Sequence, residues 1–392
     1  MDSFMVDIST ERLIRSANFK DLELLAAKIL NQDNVKLQIP NTLSFSGGFG
    51  MEGAVLQVFA TWLRSSRSHI IHTAASEPGN SELFESLCNQ LFGLCALRLA
   101  DKVWSTSKLD VSIQTALKPA IPIFQKLRAE DYKNAFKGMY LTIPAIKAPV
   151  VPKGRDREYD SPLYNNDQVV GAEKFFKITD RALKAVLPNS VSHSSINDQV
   201  IENLSEILRE LFTNTHRHAR ADVKGHPYKK NFRGIIFNMI ELSASRMDEL
   251  STASGASVLF LGDWKPSGNE KFRALDITVV DSGPGYARRW HGLDKDKLTL
   301  EQEKVAIVEC FTKHRSSDQT DSSGSGLSNV LRDLKELKGW FRLRTGRTLV
   351  EKSFFNYEGS NRIELENIKE MDSFMEGVVF NVVIPLKSLV GK

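Results

Sequence analysis

Three polar side chains, Glu210, Asn214 and His218, recur at four-residue steps within IENLSEILRELFTNTHRHA, residues 201–219. Apolar Ile201, Leu204, Ile207, Leu208, Leu211 and Phe212 in the same stretch have the spacing of an amphipathic helix. A four-residue step turns such a helix by only roughly 40°, so the three polar groups share one side, near the edge of the apolar stripe. A carboxylate one turn before a carboxamide, beside a core face, can hold a water and a hydrated metal ion. A solvated face that happens to carry Glu, Asn and His fits the same residues.

Two glycine-rich stretches downstream weigh against the solvated face. In ALDITVVDSGPGYARRW a strand is expected to end at Val280, and Asp281-Ser282-Gly283-Pro284-Gly285 turns away from it. An Asp at a strand's end can accept a hydrogen bond from a nucleobase amino group, and the glycines let the backbone pass close to a ring. Alone, the same residues are an ordinary turn. In FTKHRSSDQTDSSGSGLSNVLRDLKELKGW (311–340) a Ser-, Asp- and Thr-rich loop leads to Gly324-Ser325-Gly326-Leu327, and a helix follows at once. A Gly-rich turn at a helix N-terminus presents unpaired N–H groups suited to phosphate oxygens.

In this order and spacing the three stretches resemble the GHKL superfamily, the ATP-binding fold shared by histidine kinases, DNA gyrase B, MutL and the Hsp-ninety chaperones. ELFTN with His218-Ala219 resembles that family's N-box, DSGPG its G1 box and GSGL its G2 box, while GVVFNVVIPL (377–386) resembles its closing strand. The likeness covers roughly 190–387. It implies that Glu210 polarises an attacking water, Asn214 ligates Mg²⁺ and Asp281 accepts from the adenine amino group. It further implies that Gly283 and Gly285 shape the adenine pocket, and that Gly324, Ser325, Gly326 and Leu327 approach the phosphates. One Asn oxygen suffices beside a triphosphate, because Mg²⁺ completes its octahedron with waters and phosphate. Two departures stand out. Gly377 is followed by Val378 where the family usually has Thr or Ser. The sequence stops at Lys392, so the transducer domain whose lysine reaches the γ-phosphate in the hydrolases is not expected; Lys313, His314 or Arg315 is the candidate substitute.

These features imply a Mg²⁺-dependent ATP-binding protein that hydrolyses ATP slowly and closes a lid, from about Arg288 to Ser323, as a switch for a partner. The small, polar residues 312–325 are expected to become ordered on nucleotide binding. A serine- or histidine-directed protein kinase is the alternative, although none of the eight His residues sits in an HE-x-x-x-P setting. A non-catalytic nucleotide-holding module is the third reading.

The elements that must position these residues form an α/β chain in two parts. A smaller N-terminal α/β domain, faintly similar to STAS-like domains, is expected over 1–146, from a helix at 8–30, a strand at 35–40, a helix at 51–66, a strand at 68–75 and a helix from Glu82 to Trp104. Its SGGFG (46–50) lacks the Lys of a phosphate loop. A linker and connecting helix are expected over 147–189. A GHKL-type sandwich, a mixed sheet layered with helices, is expected over 190–392, with strands at 234–243, 256–264 and 274–283. The basic loop Arg217–Arg233, with Arg220, Lys224, Lys229 and Lys230, offers a patch for an anionic partner such as nucleic acid, or simply a solvated loop. The N-terminal half is the candidate surface for a protein partner or self-association. A formal charge of +4 over 392 residues does not by itself demand a polyanion. No apolar run approaches the roughly 20 residues that span a bilayer. The charged N-terminus is unlike a signal peptide, and Cys88, Cys95 and Cys310 lack metal-ligand spacing, so a cytoplasmic protein is expected.

Overall fold

The computed structural model describes residues 9–44, 48–148, 160–187, 196–254, 271–312, 326–355 and 359–386, and in it the chain builds two five-stranded sheets. The first uses β1 (Ser9–Arg12), β2 (Val35–Gln38), β3 (Ile70–His72), β4 (Lys102–Trp104) and β5 (Asp110–Val111) in that order. The first four are parallel and β5 is antiparallel. Helices α1 (Phe19–Leu30), α2 (Met51–Ser65) and α3 (Leu91–Leu99) connect them. Sequential parallel strands with crossovers of one hand keep the connecting helices on one face.

Two expectations in this half need correction. The helix expected over 8–30 begins only at Phe19, because Asn18 and Asp21 cap each other's backbone N–H groups there; Ser9–Arg12 form strand β1 instead. The single helix expected from Glu82 to Trp104 breaks at Gln90, whose backbone is extended, and its last residues become β4. The N–H groups freed by the break are taken up by other elements: Leu91 donates to the Tyr140 hydroxyl at 3.0 Å and Phe92 to Glu52 Oε1 at 3.0 Å.

The second sheet runs β9 (Trp340–Ser353), β10 (Ile368–Pro385), β8 (Phe272–Asp281), β7 (Asn231–Leu242), β6 (Tyr140–Lys147), and each neighbouring pair is antiparallel. The mixed sheet expected here is therefore antiparallel. The division expected after residue 146 cuts through β6, which pairs with β7 along its whole length. The stretch expected as linker and connecting helix carries a short hairpin, Tyr164–Asn165 with Gln168–Val169, followed by helix α4 (Ala172–Val186). The strand expected over 256–264 lies outside the described residues.

Both faces of this second sheet are covered. Helices α1 and α2 pack on β10, and α3 packs on β6 and β7. On the opposite face lie α4 and α5 (Asp198–His218), with α8 (Gly326–Glu336) against α5. One continuous apolar core joins the first sheet, its helices and the second sheet. Polar groups are inlaid at the seam: Arg344 on β9 forms a fork with Glu23 on α1 at 2.8 and 2.9 Å, and Asp276 on β8 accepts from the Gly50 N–H at 3.2 Å and from Asn381. Among the described residues no helix is long and apolar enough to cross a membrane.

Candidate functional site

The site begins with α5. Asn197 caps it by accepting from the Val200 N–H at 2.9 Å, and its apolar stripe, buried from Val200 to Phe212, fixes its rotation over the sheet. That rotation brings Asn214 and His218 to the edge of a cleft at the end of β8, beside Val378 and Phe380 of β10. Helices α6 (Tyr286–His291) and α7 (Leu300–Cys310) and the first turn of α8 complete the walls. The space between these walls, counted out to and including its open mouth, is about 860 Å³.

Several residues singled out from sequence converge here. Asn214, Asp281, Gly285, Gly326 and Leu327 all line the cleft, as does His218. Gly283 sits just behind, its backbone on Ala219 at the end of α5, where a Cβ would come within 2.5 Å of Ala219. Gly285 has φ +81°, a conformation that side chains disfavour, and it aims the chain into α6. Glu210 lies next to the cleft rather than in its lining. Its Oε1 accepts from Arg209 at 2.8 Å and its Oε2 abuts Gly326, leaving no room there for a side chain. Lys313, His314, Arg315, Gly324 and Ser325 lie outside the described residues.

Asp281 is buried at the end of β8, and its Oδ1 accepts from the Gly283 N–H at 2.8 Å. Burial pushes its carboxyl up to about 6, against the pull of that N–H and of the Arg233 and Arg64 guanidinium groups. Arg233, fully buried, is its cross-strand partner on β7. The Arg233 guanidinium lies 5.7 Å from the Tyr164 ring, and the Tyr164 hydroxyl is 3.3 Å from His216 Nδ1. Burial, with help from Arg220 and Arg233, pushes His216 down to about 4, so it is neutral at physiological pH. The Cys310 thiol in the wall is pushed up to about 12 by burial and is correspondingly unreactive.

Sequence reasoning missed much of the wall: Tyr286, Arg289 and Trp290 from α6, Cys310 from α7, and Val279 and Phe380 from the sheet. For the α6 residues the only signal was adjacency to the DSGPG turn. Behind the lining, Arg233 was read only as part of the basic loop and Arg64 carried no signal, because strand pairing and helix docking bring them to Asp281 from afar. The basic loop is also less available than its composition suggests. Arg233 is in the sheet, Lys230 binds Asp101 at 2.6 Å, and Arg220 donates to the His216 carbonyl at 2.8 Å. Arg217, Lys224 and Lys229 remain exposed.

The cleft is lined by one buried carboxylate, one carboxamide, one imidazole, the Arg289 guanidinium and the hydroxyl-bearing Thr215 and Tyr286 among apolar side chains. Such a lining suits a flat heteroaromatic group with an anionic tail. Among the described residues no cluster of three or more His, Cys, Asp or Glu side chains could hold a metal ion by itself. The chain matches no family model, no curated protein and no solved structure.

Proposed function

We propose that the cleft is a GHKL-type site that binds ATP with Mg²⁺, and that the second sheet with α4, α5 and α8 is the sandwich of that superfamily. The observation carrying this reading is the convergence of three sequence-distant motifs on one cleft, represented by Asn214, Asp281 with Gly285, and Gly326 with Leu327. In this reading Asp281 accepts from the adenine amino group through the carboxylate oxygen not used by Gly283. The apolar walls Val279, Val378 and Phe380 flank the base, and Val378 gives the base no hydroxyl. The first-turn N–H groups of α8 and the Arg289 guanidinium face the phosphates. A bound Mg²⁺ would neutralise phosphate charge. Asn214 supplies one neutral oxygen toward it, which suits an ion held mainly by phosphate and water.

Slow hydrolysis with nucleotide-dependent closure of the cleft is the favoured activity, with Glu210 orienting the attacking water. The pairing of Glu210 with Arg209, outside the lining, favours a second reading, in which the site transfers the phosphoryl group to a protein or simply holds nucleotide. Purified protein with γ-labelled ATP separates these by whether label appears as free phosphate, on protein, or nowhere. Under the hydrolytic reading Glu210→Gln leaves ATP affinity similar and lowers phosphate release by something like 10²–10⁴-fold. Release at the parent rate removes Glu210 as the base.

A further inference from the structure

Helix α2 is buried along nearly its whole length, yet it carries a polar stripe at Gln57, Thr61 and Arg64. Buried polar groups are costly unless paired, and each of these pairs with backbone at the floor of the cleft. Gln57 Nε2 donates to the carbonyls of Arg344 at 3.0 Å and Gly377 at 3.5 Å. Thr61 Oγ1 accepts from the Glu376 N–H at 3.0 Å. Arg64 donates through Nη2 and Nε to the Ser282 carbonyl, at 2.7 and 3.1 Å, and through Nη1 to the Lys230 carbonyl at 2.9 Å. Its guanidinium also stacks 3.5 Å from the centre of the Tyr228 ring.

The Ser282 carbonyl belongs to the same peptide unit as the Gly283 N–H, and that N–H is the one that donates to Asp281 Oδ1. One rigid peptide plane is thus gripped on its oxygen by Arg64 and on its hydrogen by Asp281. A peptide group is planar, so fixing the carbonyl fixes the N–H direction. A charged donor on the carbonyl also polarises the amide and strengthens its outgoing hydrogen bond. Both effects hold the Asp281 carboxylate in one orientation.

We propose that Arg64 is a positioning residue of the nucleotide site, setting base selectivity by orienting Asp281 through the Ser282–Gly283 peptide. The N-terminal layer is by this route part of the site rather than an appendage to it. The inference rests on the ATP reading given above, and its readout is selectivity rather than stability.

The test compares full-length protein with Arg64→Ala, Arg64→Lys and Asp281→Ala, measuring dissociation constants for ATP, ADP and inosine triphosphate, which carries a carbonyl in place of the purine amino group. Arg64→Ala should lower the preference for ATP over inosine triphosphate at least fivefold and leave the ATP-to-ADP ratio within twofold. Arg64→Lys keeps the charge but not the planar fork, so its preference should fall between those of Arg64→Ala and the parent protein. A merely structural role would lower the melting temperature and leave both ratios unchanged. Should Arg64→Ala not fold, Arg64→Lys decides, and a parent-like preference in the variants that fold overturns the proposal. Parent-like affinities for all three nucleotides in Asp281→Ala remove the ATP reading itself, and this inference with it.

Discussion

The two sheets of this protein invert the usual pairing of strand direction with coverage. Parallel sheets are normally buried on both faces, whereas antiparallel sheets often leave one face to solvent. Here the mostly parallel first sheet is built from strands of two to four residues, and its faces differ sharply. Val35, Leu37, Ile71 and Val103 are buried, while Thr10, Arg12, Lys36, Gln38 and Lys102 are exposed or half-exposed. The antiparallel second sheet has strands of 8 to 18 residues with helices on both faces. The difference separates two tasks. The first sheet needs one good face to hold three helices in place. Those helices then form the floor under the second sheet, whose other face carries the cleft.

The sharpest way to break that contrast is to place a charge on each sheet. Val379 on β10 packs against α2 so closely that a Cβ at Gly53 would lie 2.8 Å from it. Val379→Asp buries an unpaired carboxylate and should cost on the order of 4 kcal/mol or more. Thr10→Asp on the exposed face of the first sheet should stay within about 0.5 kcal/mol. Urea unfolding of both variants checks this, and similar costs would mean the two sheets are not covered differently.

A second effect, nearly as large, depends on pH. Glu52 on α2 is buried against Phe92 and Tyr140, and burial pushes its carboxyl up to about 7 from an ordinary value of 4.5. The folded state holds that proton more tightly than the unfolded chain does. Its stabilising contribution is therefore fully present below pH 4.5 and is lost as pH rises through 7. Glu52→Gln keeps an acceptor and removes the titration. The variant should gain on the parent protein between pH 4.5 and 8, by on the order of 3 kcal/mol. Thermal melts across that range measure it, and a pH-independent difference would show that Glu52 is not desolvated at the seam.

Asp281→Ala probes the cleft side of the same sheet. If the cleft binds ATP as proposed, leaving the base amino group without its acceptor should weaken that binding by roughly 1–3 kcal/mol, about tenfold or more, by calorimetry. Unchanged affinity would move the base elsewhere. A small effect belongs to the first sheet's open face, where Lys36 Nζ lies 4.9 Å from the centre of the Trp104 ring. Lys36→Ala should cost about 0.5–1 kcal/mol in urea unfolding, as befits an exposed cation–π contact. A loss several times larger would mean that this face is buried in the working protein.

The same contrast marks what could be read from the sequence. The residues of α5 were readable because a helix writes its faces at a fixed spacing, so Asn214 and His218 could be placed on one side before any fold was known. The DSGPG turn was readable because its backbone demands are local, as the positive φ of Gly285 shows. What failed was everything that depends on pairing between distant segments. Which sheet β6 joins is set by β7, more than eighty residues on. Arg64 lies in the last turn of α2, and nothing near it in sequence announces that its hydrogen-bond partner is Ser282. The spacing of Glu210 was equally plain, but nothing in that spacing foretold that the neighbouring Arg209 would pair with one of its carboxylate oxygens.

The position of β10 also bears on how a ribosome-bound chain can fold. It is the last of the described strands to be synthesised, yet it lies inside the second sheet, between β9 and β8, and under α1 and α2. Until it emerges, β8 has an unpaired edge and the apolar undersides of α1 and α2 lack the strand they pack on. The chain through Pro385 must therefore leave the exit tunnel before the sheet can close. A stalled chain truncated before Ile368 should present that open edge and the bare helical faces together, the kind of surface that holdase chaperones recognise.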